Sequence, residues 1–139
     1  MRLFVAAIFA FIAISADAQS VISIEASDFP EISDTLKRRH SVIIDARSSE
    51  MYRSGHIRGA VNIDINQENS QRRIRRYLDK REIVIYCTTN NRSGRFIEAL
   101  KEMEYRGTIY FITDGITGWK ESGYPLRVRR SILFWTNRH

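Results

Sequence analysis

The stretch Ile83-Val84-Ile85-Tyr86-Cys87-Thr88-Thr89-Asn90-Asn91-Arg92-Ser93 decides the fold class of this chain. Its first four residues form an apolar, β-rich run, which predicts a buried strand that ends at Cys87, the only cysteine. A helical pattern begins at Arg92 and Ser93, and its apolar positions are Phe96, Leu100 and Met103. The stretch therefore predicts a strand, a tight loop and a helix, with a thiol at the end of the strand.

This arrangement has a chemical consequence for Cys87. The backbone N–H groups of the loop and of the first helical turn are expected to point toward the sulfur. The helix dipole and Arg92 add positive potential, which favours the thiolate over the thiol. A cation is poorly placed at a helix N-terminus unless it binds an anion, so we interpret Arg92 as an anion ligand. The loop is predicted to hold an anion on or beside Cys87.

Strands and helices alternate along the rest of the chain, which predicts an α/β sandwich around a mostly parallel sheet. Further strands are expected at Val21–Ile24, Ser41–Asp45, Ala60–Ile63 and Thr108–Ile112. Further helices are expected from Ser27 or Asp28 to about Arg39, from Ser48 to Tyr52, at Asn69–Lys80 and from Gly115 through Trp119, with Gly107 in the C-cap region of the helix after Cys87. Ligands bind outside the carboxyl ends of such strands, where Cys87 lies.

Length and charge narrow the class of protein further. A chain of 139 residues accommodates one domain, and its net charge of +6 with a pI near 9.8 attracts anions of any size. The three histidines are too scattered for a metal motif, so we expect no metal and no cofactor. Nothing beyond charge favours nucleic-acid binding. A single cysteine forms no internal disulfide, so Cys87 is either buried and inert, paired with another chain, or reactive.

The N-terminus has the layout of a secretory signal peptide. Met1-Arg2 is a short positive start, Leu3–Ile14 is an apolar run, and Ala16-Asp17-Ala18 supplies small residues for cleavage. We expect residues 1–18 to be removed and the protein to be periplasmic or secreted. The alternative is an uncleaved anchor, but the run is short for the roughly 20 residues that a spanning helix needs.

Three segments together resemble the single-domain rhodaneses, the thiosulfate sulfurtransferase family. Asp45–Tyr52 with Gly55–Ile63 resembles the N-terminal signature of that family, and Cys87–Ser93 resembles its active-site loop. Gly115–Trp119, with Gly123 and Pro125, resembles its C-terminal signature. Small exported members of the phage-shock type share this layout of a signal peptide and one domain. The resemblance implies a rhodanese-like domain over residues 19–126. The basic, aromatic tail over residues 127–139 lies outside the resemblance.

The resemblance also implies an activity. In the family, a cysteine takes a sulfane sulfur from a donor such as thiosulfate, and the persulfide is then attacked by cyanide or a thiol. By position, Cys87 is the implied catalytic residue, and the partners are a small sulfur-containing anion and a thiophilic acceptor. The implied substrate-binding residues are Thr88, Thr89, Asn90, Asn91, Arg92 and Ser93. The implied architecture is a three-layer sandwich, and we expect a monomer.

Other functions remain open. Related phosphatases have five residues between cysteine and arginine, whereas four stand between Cys87 and Arg92, a tighter cradle that suits sulfur better than phosphate. The main rival is a non-catalytic binding module, in which the loop binds an anion or a partner without turnover. A second rival is a thiol redox protein that forms mixed disulfides.

Two positions depart from the family pattern. Many members have glycine at the position of Asn90, and asparagine is among the few other residues that tolerate a left-handed backbone. Asp114 stands where a glycine is common, and we expect its charge near the mouth of the site to weaken donor binding. Both departures affect the expected rate more than the fold.

The other polar and aromatic residues are given scaffold or surface roles. We expect Asp45 and Arg47 to brace the strand ends, His56 to stabilise the Gly55–Gly59 turn, and Trp119 to pack in the core. The arginines of the Asn69–Lys80 helix form a solvated face, with docking of an acidic partner as the alternative. We expect the tail to pack on the flank of the domain, with weak contact to an anionic membrane surface as the alternative.

Overall fold

A five-stranded sheet, parallel at every strand pair, organises the computed structural model, which describes residues 19–36, 40–88 and 90–128. The strand order is β1-β5-β4-β2-β3, so β4 is central. The strands are β1 Ser20–Ile24, β2 Ser41–Asp45, β3 Val61–Asn62, β4 Glu82–Tyr86 and β5 Thr108–Ile112. The helices are α1 Phe29–Ser33, α2 Ser49–Ser54, α3 Ser70–Ile74, α4 Asn90–Glu102 and α5 Gly115–Glu121, with 3-10 turns at Ala26–Asp28 and Arg75–Tyr77. The predicted α/β class with a parallel sheet is confirmed.

The core divides into two clusters, one on each face of the sheet. On one face Ile83 and Ile85 of β4 pack with Phe96 and Leu100 of α4, and Cys87 belongs to this cluster. On the other face Val84 and Tyr86 pack with Ile112, Ile116 and Trp119. Because successive strand residues point to opposite faces and both faces are covered, β4 is a continuous apolar run rather than an alternating one.

Several predicted boundaries are wrong. The helix expected over Asn69–Lys80 is a short α3 followed by the 3-10 turn Arg75–Tyr77. The first helix ends at Ser33, and residues 37–39 lie outside the described part of the chain. The strand expected over Ala60–Ile63 pairs with β2 only at Val61 and Asn62.

The end of α4 is closed by Glu104, not by Gly107. Glu104 has a φ of 56°, and the Tyr105 amide donates to the Leu100 carbonyl while the Glu104 amide donates to the Lys101 carbonyl. These two bonds form a Schellman motif with Glu104 at its left-handed position. Gly107 instead lies where the Tyr105 side chain and the Arg81 backbone come close to its Cα. A Cβ at this position would clash with the Tyr105 hydroxyl and the Arg81 carbonyl.

The N-terminal and C-terminal predictions fall on residues that the structure does not describe. The expected signal peptide over residues 1–18 and most of the expected tail, residues 129–139, lie outside the described ranges. Arg127, at the start of the tail, exchanges backbone hydrogen bonds of 2.8 and 3.0 Å with His56. Within the described ranges, no helix has the length and hydropathy needed to cross a membrane.

Candidate active site

Cys87 lies directly after the carboxyl end of β4, the central strand. Its side chain joins the core cluster beneath α4, and the residue is only 2% exposed. This is the edge of the sheet at which parallel α/β proteins bind ligands. The predicted position of the thiol, at the end of a strand and ahead of a helix, is therefore correct.

The loop between β5 and α5 rests on the backbone of Cys87. The Ile116 amide donates a 2.9 Å hydrogen bond to the Cys87 carbonyl. Gly115 has a φ of 58°, and a Cβ at this position would clash with the same carbonyl oxygen. The glycine that begins the C-terminal signature is thus required on two grounds, backbone conformation and close approach. This contact joins the C-terminal segment to the candidate site.

The first turn of α4 begins earlier than the sequence predicts. Asn90 and Asn91 are already helical and exposed, so they belong to the helix rather than to the loop before it. Asn90 is not left-handed, since Glu104 is the one non-glycine residue with positive φ in the described ranges. The expectation that Asn90 replaces a left-handed glycine is therefore wrong. Thr88 is exposed next to Cys87, and Thr89 lies outside the described residues.

Arg92 follows in the same turn, half-buried, with its guanidinium directed to α2. Its Nη1 lies 3.6 Å from Sδ of Met51, and Oγ1 of Thr88 lies 3.9 Å from the same sulfur. Within the described ranges no carboxylate forms a salt bridge with Arg92. The positive charge of Arg92 therefore has no carboxylate counter-ion among residues 19–36, 40–88 and 90–128. Met51 is a residue of this site that the sequence pattern did not single out.

Ser93 is completely buried at the next position of α4. Its hydroxyl finds no hydrogen-bond partner in the part of the chain that the structure describes. Burying a hydroxyl without a partner is unfavourable, so such a group in a native protein calls for an explanation. Ser93 lies in the first turn of α4, six residues after Cys87.

Behind the loop lies a buried polar network of Asp45, Arg47 and Tyr86. Arg47 binds Asp45 through Nε at 3.0 Å and through Nη2 at 2.7 Å, and it also donates to the Gly55 carbonyl at 2.6 Å. The Tyr86 hydroxyl donates to Asp45 at 2.6 Å and accepts from the Ile57 amide at 3.1 Å. The predicted bracing role of Asp45 and Arg47 is confirmed. Tyr86 was not predicted, although a tyrosine in an aliphatic strand beside the cysteine was a signal.

The electrostatics of this network keep Tyr86 neutral. Burial raises the pKa of Tyr86, and the charge and hydrogen bond of Asp45 raise it further. Burial by itself would lower the pKa of Arg47, but hydrogen bonding and the charge of Asp45 outweigh it, so the pKa is raised. The network is therefore a fixed ion pair with a protonated phenol, and Tyr86 does not supply a base for the thiol.

Three other predicted residues lie in the scaffold. The His56 ring stacks on Tyr52 at 3.8 Å, and its Nδ1 lies 2.9 Å from the Tyr52 carbonyl. Trp119 packs edge-on against Phe29, as expected for a core residue. Asp114 accepts from the Ala26 amide at 2.9 Å and packs against Gly118. Its carboxylate is therefore tied to the turn before α1, and its expected effect on donor binding stays a prediction.

A groove of about 600 Å³ opens beside the first turn of α4. It runs between α3 and α4, and its polar lining includes Ser70, Gln71, Asn90, Asn91, Arg95 and Glu98. Asn90 and Asn91, the first two residues of α4, therefore line a groove on the α3 side of the helix.

Comparison with known proteins identifies the family of this chain. The rhodanese-like domain family matches residues 28–122. The chain is 38% identical over 63 residues to the thiosulfate sulfurtransferase PspE of Escherichia coli (strain K12), covering 45% of this chain and 60% of that protein. It is 26% identical over 100 residues to an uncharacterized protein of Buchnera aphidicola subsp. Schizaphis graminum, covering 70% of this chain and 66% of that protein. The chain spans between 52% and 66% of the length of the curated relatives it matches.

Solved structures share the fold. The Alr3790 protein from Anabaena sp. superimposes with a TM-score of 0.66 at 21% identity, covering 78% of this chain and 94% of that one. A thiosulfate sulfurtransferase from Pseudomonas aeruginosa gives a TM-score of 0.64 at 22% identity, covering 80% of this chain and 21% of that one. The family match extends over more than half of the sequence, and the chain belongs to the rhodanese-like domain family.

Proposed function

We propose that this protein is a sulfurtransferase that carries a sulfane sulfur on Cys87. The donor is a small sulfur-containing anion such as thiosulfate, and the acceptor is cyanide or a thiol. The observation that carries the proposal is the juxtaposition of Cys87 with the first turn of α4, where Arg92 has no carboxylate partner in the described ranges. A helix N-terminus and an uncompensated guanidinium both stabilise an anion at this place.

The reaction proceeds in two displacements. The Cys87 thiolate attacks the sulfane sulfur of thiosulfate, a new S–S bond forms, and sulfite leaves with the electron pair of the broken S–S bond. Cyanide or a thiolate then attacks the outer sulfur of the persulfide, and the Cys87 thiolate leaves. No oxidant or reductant is consumed. We assign no separate base to this step, and Tyr86, which burial and Asp45 keep neutral, does not supply one.

The residues around Cys87 have distinct parts in this proposal. Arg92 binds the negative charge of the donor as it enters, and N–H groups of the first α4 turn stabilise the charge on sulfur. The buried Ser93 hydroxyl donates to the sulfur, which supplies the partner that it lacks among the described residues. The groove beside Asn90 and Asn91 gives the acceptor a route to the persulfide.

Export is part of the same proposal. The pattern of residues 1–18, with a positive start, an apolar run and small residues, supports a cleaved signal peptide and a periplasmic or secreted protein. The name of the Escherichia coli relative, a thiosulfate sulfurtransferase, supports the activity at the level of the family.

The decisive experiment is the intact mass of the purified protein before and after thiosulfate. We expect a gain of one sulfur atom, about 32 Da, that cyanide removes and that the Cys87→Ser variant lacks, as an activated thiolate predicts. A protein that gains no mass, although Cys87 still reacts with an alkylating agent, would exclude thiosulfate as the donor.

A second candidate is a non-catalytic binding module, and the burial of Cys87 at 2% exposure favours it. In that case the loop holds an anion or a partner, and the thiol never turns over. The Cys87→Ser variant separates the two functions, because a binding module tolerates the substitution and a sulfurtransferase does not. A thiol redox protein would instead give a reductant-sensitive adduct without the gain of one sulfur.

A further inference from the structure

Met51 occupies an unusual place for a methionine. It belongs to α2, is 40% exposed, and its sulfur lies within 4 Å of two donors of the Cys87 segment. These donors are Nη1 of Arg92 at 3.6 Å and Oγ1 of Thr88 at 3.9 Å. In the described ranges, Arg92 forms no salt bridge that competes with this contact. The thioether of the exposed Met51 therefore contacts Arg92, the cation proposed to bind the donor.

The chemistry of sulfur makes this contact weak. A thioether is only a weak hydrogen-bond acceptor, so Met51 leaves Arg92 available to an incoming anion. A methionine sulfoxide, by contrast, carries a polar S=O group on the same side chain. Its oxygen is a stronger acceptor than the thioether, and Arg92 and Thr88 are the two donors already within 4 Å of the sulfur. Oxidation at this one atom would convert a weak contact into a strong one.

We infer that Met51 is an oxidation site. Its sulfoxide accepts hydrogen bonds from Arg92 and Thr88 and thereby weakens donor binding at Cys87. The oxidant is a peroxide. The thioether lone pair attacks one peroxide oxygen, an S–O bond forms, the O–O bond breaks, and the leaving oxygen departs as water after proton transfer. The sulfur loses two electrons, which the peroxide gains. The effect on donor binding rests on the proposed sulfurtransferase function. The oxidation of Met51 and the hydrogen bond from Arg92 to the sulfoxide do not.

Met103 provides an internal comparison. It is half-buried and packs against the core cluster beneath α4, away from the Met51 contact. Susceptibility to oxidation follows exposure, so Met51 should react before Met103. Met103→Leu is therefore the matched control for Met51→Leu.

The first test uses Cys87→Ser protein, which removes thiol oxidation from the experiment. The protein is treated with hydrogen peroxide, and peptide mass spectrometry follows the gain of one oxygen at Met51 and at Met103. The side-chain Nε–H resonance of Arg92, assigned with Arg92→Lys, is recorded in parallel. We expect selective oxidation of Met51 and a shift of the Arg92 resonance, abolished by Met51→Leu and retained in Met103→Leu.

The second test measures thiosulfate binding by calorimetry in the same Cys87→Ser background. Peroxide should raise the dissociation constant about tenfold, which corresponds to ~1.4 kcal/mol. Met51→Gln, which places an amide oxygen near the position of the sulfoxide oxygen, should weaken binding without peroxide. Methionine sulfoxide reductase should restore binding in the oxidised protein.

The outcomes are separable from those of the proposed function. Oxidation of Met103 as fast as Met51, or an unmoved Arg92 resonance after Met51 oxidation, would overturn the inference whether or not the protein transfers sulfur. An unchanged dissociation constant in fully oxidised protein would overturn it as well. The persulfide mass experiment, made on unoxidised protein with Cys87 intact, decides the sulfurtransferase function independently.

Discussion

The amide of Ile116 donates a 2.9 Å hydrogen bond to the carbonyl of Cys87, which fastens the loop after β5 to the candidate nucleophile. Gly115, the residue before Ile116, has a φ of 58° and lies too close to that carbonyl to carry a side chain. Two segments far apart in sequence thus fix the backbone of Cys87. The position of Cys87 is therefore set in part by a main-chain contact with the loop after β5.

This contact predicts a large cost for a methyl group at Gly115. We expect Gly115→Ala to lower the free energy of unfolding by about 3 kcal/mol, because strain from φ adds to a clash with main chain. Gly123→Ala is the control, since Gly123 has a φ of 77° but no atom within 4 Å of the added Cβ, and it should cost roughly 1 kcal/mol. Urea unfolding of both variants measures the difference. Equal costs would contradict the close approach.

Two buried tyrosines predict opposite responses to loss of the hydroxyl. Tyr86 is bonded to Asp45 and Ile57, so Tyr86→Phe should destabilise the protein by about 1–3 kcal/mol. The Tyr105 hydroxyl is buried and has no partner in the described ranges, so Tyr105→Phe should be neutral or stabilising. Thermal or urea unfolding of the two variants provides the comparison. A similar loss in both would show that the network of Tyr86 does not decide its contribution.

The same tyrosines predict the behaviour of the protein at high pH. Burial and Asp45 raise the pKa of Tyr86, and burial and Glu82 raise that of Tyr105, both from an ordinary value of 10.0. Each folded-state pKa exceeds the unfolded one, so this contribution to stability is complete below about pH 10 and is lost as the pH rises toward the folded pKa. We expect the free energy of unfolding to fall with pH above about 10, and less steeply in Tyr86→Phe. Urea unfolding at a series of alkaline pH values tests this, and an unchanged slope in Tyr86→Phe would refute it.

Arg92 should control the binding of the donor. Removing a hydrogen-bonded cation from an anion site costs about 1.5–3 kcal/mol, so Arg92→Gln should raise the KM for thiosulfate roughly ten- to hundredfold. Arg95→Gln is the matched control, because Arg95 lies on the same helix but donates to Asn66. Steady-state kinetics with both variants make the comparison. A similar rise in KM for Arg95→Gln would indicate a general effect of charge instead.

Ser93 should separate activity from stability. Its buried hydroxyl has no partner in the described ranges, so Ser93→Ala should leave the free energy of unfolding unchanged or slightly higher. If the hydroxyl donates to the sulfur, persulfide formation should slow about tenfold, the effect of one hydrogen bond to a charged group. Stopped-flow measurement of sulfite release, together with urea unfolding, tests both statements. A variant that loses stability while its rate is kept would contradict this role.

Some features of the protein follow from the sequence because they are local. The apolar run before Cys87 predicts a buried strand, and the helical spacing after it predicts α4, because burial on both faces of a sheet and on one face of a helix leaves a periodic pattern. The class of the sheet and the position of the thiol at a strand end follow in turn. The helix end near Glu104 also follows from the sequence. The start of α4 at Asn90 and the left-handed backbone of Glu104 do not, because a helix end depends on hydrogen bonds that the pattern of apolar residues does not record.

What the sequence determined by itself is the order of strands and helices, the single thiol at the end of β4 and the basic turn that follows it. Only the tertiary structure decided that Asp114 binds the Ala26 amide, that Gly115 lies against the Cys87 carbonyl, and that Met51 contacts Arg92. These contacts join residues between 28 and 88 positions apart. Their partners are chosen by the packing of loops at one edge of the sheet, and no periodicity along the chain encodes that choice.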